Sequence, residues 1–254
     1  MAKKEALDDS QEPEVETGKE IADWKKDMQM AAEKTKKTER PASSVISLKG
    51  GIMSYMDEPL KDNKLECVIV AASYARTCFQ RPYDSDDQDP PECFANAMDL
   101  HDLVPHENVP APYAKVCGEK TCEWAVFGTA LQGKGPRCKT RRKLIVMPVS
   151  GLANPGEAEL ATLTVTPTSG ANYSNYAAKV ANQGGLPPWG VKTMIIVKPH
   201  AKKQFEVTFD LVGPIGDEKA LAGIHSRIVE AESILMTPYT YDAEEEPVKE
   251  SDKY

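Results

Sequence analysis

The chain of 254 residues is long enough for one sizeable domain, and its 41% hydrophobic and 28% charged residues are typical of a folded globule with polar extensions. The formal net charge of −8 excludes a wholly basic, histone-like binder, although it is compatible with a local cationic groove. The sequence shows neither an apolar run of bilayer-spanning length nor a secretory signal. We therefore expect a cytoplasmic protein with reduced cysteines and no membrane partner.

Both ends of the chain have the composition of tails. Residues 1–42 are highly charged, but apolar residues between Ile21 and Ala31 recur at helical spacing. This pattern predicts a charged tail that either stays solvated or forms one marginal amphipathic helix that docks. Residues 237–254 predict a disordered acidic tail, since the last thirteen positions hold six acids against two lysines. Residues 43–236 are expected to form the folded domain.

Between the tails, β-type patterns outnumber helical ones. Short apolar or alternating runs predict about five strands, at 65–72, 143–148, 159–166, 191–197 and 204–212. The last two should form an antiparallel hairpin because their link is short and polar. Helical spacing predicts two helices, at 172–181 before Gly184 and Gly185 and from an Asp217 N-cap to 234. The sequence thus predicts a mainly β fold with helices, of the α+β class.

The stretches 74–91 and 91–113 are rich in proline and acids. The first predicts an exposed loop, because its prolines interrupt hydrogen-bonded ladders. The second predicts an extended segment that needs an external constraint, such as a bound metal, to become ordered.

Four cysteines indicate such a metal site. Cys117 and Cys122 bracket a four-residue turn, Cys138 follows, and Cys93 lies upstream. A close pair with two distant thiolates is one way in which tetrahedral Zn²⁺ sites are assembled. The alternative is a set of ordinary buried thiols. Cys67 is predicted to lie in the core and Cys78 fits either role, while His101 and His106 are weaker ligand candidates.

A dense basic run follows the close cysteine pair. It comprises Lys134, Arg137, Lys139, Arg141, Arg142 and Lys143. Such a cluster usually faces water or a polyanion, and Gly133 and Gly135 permit close backbone approach to a phosphate. Trp124 and Phe127 lie nearby, so the combination predicts single-stranded nucleic-acid binding by phosphate contacts and base stacking. The alternative for the two aromatic residues is packing under the metal loop.

The chain lacks the common catalytic motifs. There is no Walker A, HExxH, GxSxG or zinc-deaminase pattern, so we expect no enzyme. Tyr173 and Tyr176 have the helical spacing of core residues rather than of stacking platforms.

The order of these motifs resembles a group of phage- and prophage-encoded four-cysteine proteins, whose pattern runs C…CxxCP, (W/F)GS, GKGKxCK and RR-L. Here Cys93, Cys117 and Cys122 are followed by Phe-Gly-Thr at 127–129. The segment 133–144 then reads GKGPRCKTRRKL. The likeness extends over about 65–235, through the helix, Gly, Pro and strand segment that includes Trp189. This chain departs from the pattern in placing four residues between Cys117 and Cys122, where the family usually has two, and in having Pro136-Arg137 before Cys138.

The resemblance implies a phage single-stranded DNA-binding protein of replication or recombination, with an OB-like, partly open barrel and a zinc-stapled loop at 93–138. Cys93, Cys117, Cys122 and Cys138 would bind Zn²⁺, and the basic run with Trp124 and Phe127 would bind the DNA without sequence preference. The acidic tail would recruit replication or recombination proteins in the host cytoplasm. The alternative hypothesis is a phage interaction factor that uses the same loop to bind a host or replication enzyme.

Overall fold

The computed structural model describes residues 26–28, 30–31, 44–79, 91–109, 117–118, 120–131, 135–201 and 204–239. The chain divides into two compact units, Met1–Ala42 and Ser43–Tyr254. In the first unit, residues 26–28 and 30–31 are helical, whereas Ile21 and Trp24 lie outside the described residues. No helix in the described ranges is both long enough and apolar enough to cross a bilayer.

The second unit is mainly β with a few helices, as predicted. Over the ranges described, it forms one sheet of nine strands in the order β3-β2-β1-β7-β6-β4-β8-β9, with β5 paired to β4. The strands are β1 (Ser44–Ser47), β2 (Ser54–Tyr55), β3 (Glu58–Pro59), β4 (Lys64–Cys78), β5 (Cys93–Ala97), β6 (Lys139–Pro148), β7 (Ala161–Val165), β8 (Val191–His200) and β9 (Gln204–Pro214). β1 and β7 pair in parallel, while the central strand β4 pairs antiparallel with β5, β6 and β8.

The sheet curls into an open half-barrel. Ile46 of β1 and Val207 and Phe209 of β9 line the same core, although five steps separate these strands in the sheet. In a flat sheet five steps would span about 24 Å, so the sheet must bend for these side chains to meet. At the turn after β1, Gly51 has a φ of 80° and packs so closely that an added Cβ would lie 3.4 Å from Phe205 Cβ.

Helices cover both faces of the half-barrel. They are α1 (Gly170–Gly184), α2 (Glu218–Ser226) and α3 (Ile228–Met236). α1 buries Tyr173 and Tyr176 in the concave core, as predicted, and ends at Gly185, whose φ of 62° provides the left-handed cap. α2 and α3 pack on the opposite face, against Val68 and Ile145 among others.

The helix predicted from Asp217 to 234 begins where expected, since the Asp217 carboxylate accepts a hydrogen bond from the Lys219 amide. It is interrupted, however, at Arg227. The guanidinium of Arg227 is buried and donates to the carbonyl oxygens of Pro155, Gly156 and Ala158. Because these partners of Arg227 are far away in sequence, helical periodicity gives no sign of the interruption.

Several predicted boundaries are wrong. The strand predicted at 65–72 continues to Cys78, so the loop predicted from residue 74 begins too early. The strand predicted at 143–148 begins at Lys139, whereas β5 lies within the segment 91–113 that was predicted to be extended. The sheet also has nine strands over the described residues rather than about five. In each case polar strand residues gain hydrogen-bonded partners from remote strands, which a local apolar pattern does not reveal.

Candidate functional site

Most of the basic run lies in β6, in the middle of the sheet. Lys143, Arg142 and Arg141 pair with Ser73, Tyr74 and Ala75 of β4. Because successive side chains of a strand point to opposite faces, Lys139, Arg141 and Lys143 share one face while Arg142 lies on the other. The strand therefore divides a cluster that is continuous in sequence, and we call the Lys139, Arg141 and Lys143 side, with Phe94, His106 and Tyr239, the basic face.

A cluster of aromatic rings lies beside Lys143 on the basic face. The Lys143 ammonium lies 5.5 Å from the centre of the Tyr239 ring. Tyr239 meets Phe94 edge-on at 5.1 Å, and His106 stacks on Phe94 at 4.9 Å. Burial lowers the pKa of Lys143, and the nearby Arg141 lowers it further. Lys139 is exposed, whereas Arg141 and Lys143 are both half-buried.

Polar groups of the neighbouring strands lie beside these cations. By strand register, Ser73, Ala75 and Thr77 of β4 lie beside Lys143, Arg141 and Lys139. In the described part of the chain, the buried Oγ of Ser73, Oγ1 of Thr77 and Nε of Arg141 have no hydrogen-bond partner, and neither does the Asn96 amide. Buried polar atoms usually have hydrogen-bond partners. These atoms of the basic face therefore have unused hydrogen-bonding capacity.

Arg142, on the opposite face, is engaged within the fold. Its guanidinium carbon lies 3.4 Å from the centre of the Tyr74 ring and 5.2 Å from that of Tyr173. Burial lowers the pKa of Arg142, while both tyrosines and Asp99 act in the opposite direction. Arg142 thus joins the central strands to α1 by cation–π contacts.

Arg137 is also engaged within the fold. It forms an ion pair with Glu92, with 2.6 Å between Nη2 and Oε2, and donates through Nε to the carbonyl of Phe79 at 3.1 Å. Its guanidinium also lies 4.8 Å from the centre of the Trp124 ring. These contacts join the segment before β6 to the end of β4, to the start of β5 and to Trp124.

The two aromatic stacking candidates differ in exposure. Phe127 is 71% exposed, whereas Trp124 is half-buried and packs against the cysteines. The Trp124 carbonyl accepts a hydrogen bond from the Cys138 amide at 2.8 Å, which ties the loop to the start of β6. Lys134, the remaining predicted phosphate contact, lies outside the described residues.

Five of the six cysteines gather at one end of the sheet. Cys78, Cys93 and Cys138 form a buried cluster with Val109 and Trp124 packed against it. Cys117 packs nearby, against Ala95, Ala97 and Leu103. Cys122 affects the ionisation of each of these thiols. We call Cys78, Cys93, Cys117, Cys122 and Cys138 the thiol cluster; Cys67 lies apart in the apolar core, as predicted.

Three thiols of the cluster hold their protons strongly. Burial, with a smaller effect of neighbouring cysteines, raises the pKa of Cys78 to about 11 and those of Cys93 and Cys138 to about 12. Arg137 acts in the opposite direction on Cys78, and Arg76 does so on Cys138. Within the ranges described, no three His, Cys, Asp or Glu side chains are placed to hold a metal ion. The cluster is thus a set of neighbouring thiols whose donor chemistry suits Zn²⁺.

The structure brings together residues that sequence reasoning separated. Cys78, Phe94 and Tyr239 were not among the predicted site residues, yet they lie against the predicted ones. The alternation of small and polar residues from Ser73 to Cys78 is the one signal that would have extended β4 to the cysteines.

Comparisons with protein-family models, with curated proteins and with solved structures give no match.

Proposed function

We propose that the protein binds single-stranded DNA without catalysis and without sequence preference, through the basic face. The observation that carries this proposal is the alternation of Lys139, Arg141 and Lys143 on one face of β6. Their side chains repeat at about 6.6 Å along an extended strand. A row of cations in register with a sheet can follow a phosphate backbone, and this local charge outweighs the net charge of −8 for binding.

The aromatic residues of the basic face provide stacking surfaces. Base stacking on an aromatic ring contributes about 1–3 kcal/mol per base and tolerates any sequence. Tyr239 and His106 are half-buried over Phe94, so both present part of a ring at the surface. Phe127, at 71% exposure, is a second stacking candidate on the loop before β6.

A metal ion held by the thiol cluster would make the loop at 117–138 rigid. The cluster contains Cys93, Cys117, Cys122 and Cys138, the four cysteines predicted as Zn²⁺ ligands, so the donor set fits the ion. Thiolate coordination would replace the raised pKa values with deprotonated ligands and draw the loop onto β4 and β5. The ion would have a structural role, since it would fix the loop that carries Trp124 and Phe127.

Binding of a fluorescent random-sequence oligonucleotide tests this proposal. The double variant K139A/R141A removes the exposed Lys139 and the half-buried Arg141 of the basic face. The control K64A/K198A removes two exposed lysines on β4 and β8. We expect the first variant to bind much more weakly at low salt and to show a salt dependence that is shallower by about 0.7 per lost phosphate contact. Equal affinities for the two variants would contradict the role of the basic face.

A second candidate function is suggested by the loop itself. Val126, Phe127 and Leu131 are exposed apolar residues within six positions of one another, on a segment next to the thiol cluster. Exposed apolar groups on a rigid loop are typical of protein-binding surfaces. The alternative is a phage interaction factor whose loop binds a host or replication enzyme. A wild-type protein that binds no oligonucleotide would favour this function over DNA binding.

A further inference from the structure

Three cysteines lie side by side at the end of β4, at the start of β5 and just before β6. Cys78, the last residue of β4, pairs directly with Cys93, the first residue of β5. On the other side, Thr77 pairs with Lys139, so the next position along the chain brings Cys138 beside Cys78. Directly opposed residues point to the same face of a sheet. The fold therefore places Cys78 between two cysteines that are more than forty residues apart in sequence.

Strand spacing orders these thiols by their distance from Cys93. Adjacent strands are about 4.8 Å apart, so the backbones at Cys93 and Cys138, with β4 between them, are separated by about 9.6 Å. Two thiolates on one Zn²⁺ lie about 3.8 Å apart, because each Zn–S bond is about 2.3 Å long in a tetrahedral site. Cys78 lies one strand from Cys93 and Cys138 lies two, so Cys78 is the nearer partner of Cys93.

Packing places a loop cysteine on the Cys93 side of the three thiols. Cys117 packs against Ala95 and Ala97 of β5, on the strand that begins with Cys93. Cys117 and Cys122 affect the ionisation of Cys93 and also that of Cys138, so both loop thiols lie near these three thiols. Cys93, Cys117 and Cys122 therefore approach one another from β5 and the loop, and Cys78 is the adjacent strand thiol.

We propose that Cys78 is a metal ligand, and that the ion binds Cys78, Cys93, Cys117 and Cys122. This inference rests on the proposed metal site and replaces Cys138 of the sequence-based set by Cys78. Cys138 then lies on the far side of Cys78, where its amide ties β6 to the Trp124 carbonyl. The Arg137–Glu92 pair, which affects the ionisation of Cys78, lies beside the site.

Cobalt titration distinguishes the two ligand sets. Reduced, metal-free protein is titrated with Co²⁺, whose thiolate charge-transfer and d–d absorption report tetrahedral sulfur coordination, and Zn²⁺ competition then gives the affinity. The variants are C78A, C138A and the control C67A, which removes a buried cysteine of the same strand. We expect C67A and C138A to match the wild type. In C78A the Zn²⁺ affinity should fall by more than about 100-fold. This exceeds the loss expected when a residue that only orients a ligand is replaced.

The outcomes separate this inference from the proposal on which it rests. A C138A variant that loses the cobalt spectrum while C78A keeps it would overturn the assignment of Cys78 and restore the sequence-based set. A wild-type protein that binds no Co²⁺ would overturn the metal site itself. If C78A does not fold, wild-type protein loaded with ¹¹³Cd provides the test: scalar coupling of cadmium to the β protons of Cys78, and not to those of Cys138, is the expected result.

Discussion

Replacing Arg137 by alanine tests whether this cation stabilises the fold or is available to a ligand. The guanidinium is 17% exposed and its partner Glu92 is 27% exposed, so the pair is shielded from solvent. Loss of a charge-assisted hydrogen bond of this kind costs about 1.5–3 kcal/mol, and loss of the cation–π contact with Trp124 adds about 0.5–1 kcal/mol. We therefore expect R137A to lower the free energy of unfolding by about 2–4 kcal/mol.

Thermal unfolding followed by circular dichroism measures this effect. For a domain of this size, each kcal/mol lowers Tm by about 2–4 °C, so the expected decrease is about 4–16 °C. The matched control is K139A, which removes an exposed cation two residues away and should leave Tm almost unchanged. R137A should also bind oligonucleotide as the wild type does, at a temperature where both are folded. Equal Tm values for R137A and K139A, or a loss of DNA binding in R137A alone, would refute this account of Arg137.

Two further predictions concern the tyrosines of α1. The hydroxyl groups of Tyr176 and Thr193 are hydrogen-bonded to each other in the core. Y176F leaves one partner unsatisfied and should lower the free energy of unfolding by about 1–3 kcal/mol, as measured by urea unfolding. Y176F/T193V removes both partners and should lower it by clearly less. Burial raises the pKa of Tyr173 from 10.0 to about 12, so the folded state retains a proton that the unfolded state loses above pH 10. Stability should therefore fall between pH 10 and 12, and the wild type should lose about 1.4 kcal/mol more than Y173F by pH 11.

The predicted site shows how far sequence reasoning reaches. Spacing predicts Cys93, Cys117, Cys122 and Cys138 as ligands, and all four lie in the thiol cluster. The sequence leaves Cys78 open between ligand and core thiol, because it lies next to Phe79. Its place beside Cys93 depends on pairing between β4 and β5, which is a contact between distant parts of the chain.

The basic run shows the same limit. Six cations within ten residues predicted one continuous surface. A strand has a side-chain period of two, and this period puts Arg142 on the face opposite Arg141 and Lys143. Because the run contains no apolar residue to reveal that period, the sequence does not distinguish strand from loop at these positions.

Local patterns alone determined α1, the Asp217 N-cap and the β8–β9 hairpin, because the residues that stabilise them lie within a few positions of each other. Only the tertiary structure decided the curl of the sheet, the division of the basic run between two faces, and the gathering of five cysteines. The physical reason is register. A shift of one residue in the pairing of β4 would move every side chain to the other face, and that pairing is set by packing across the whole core.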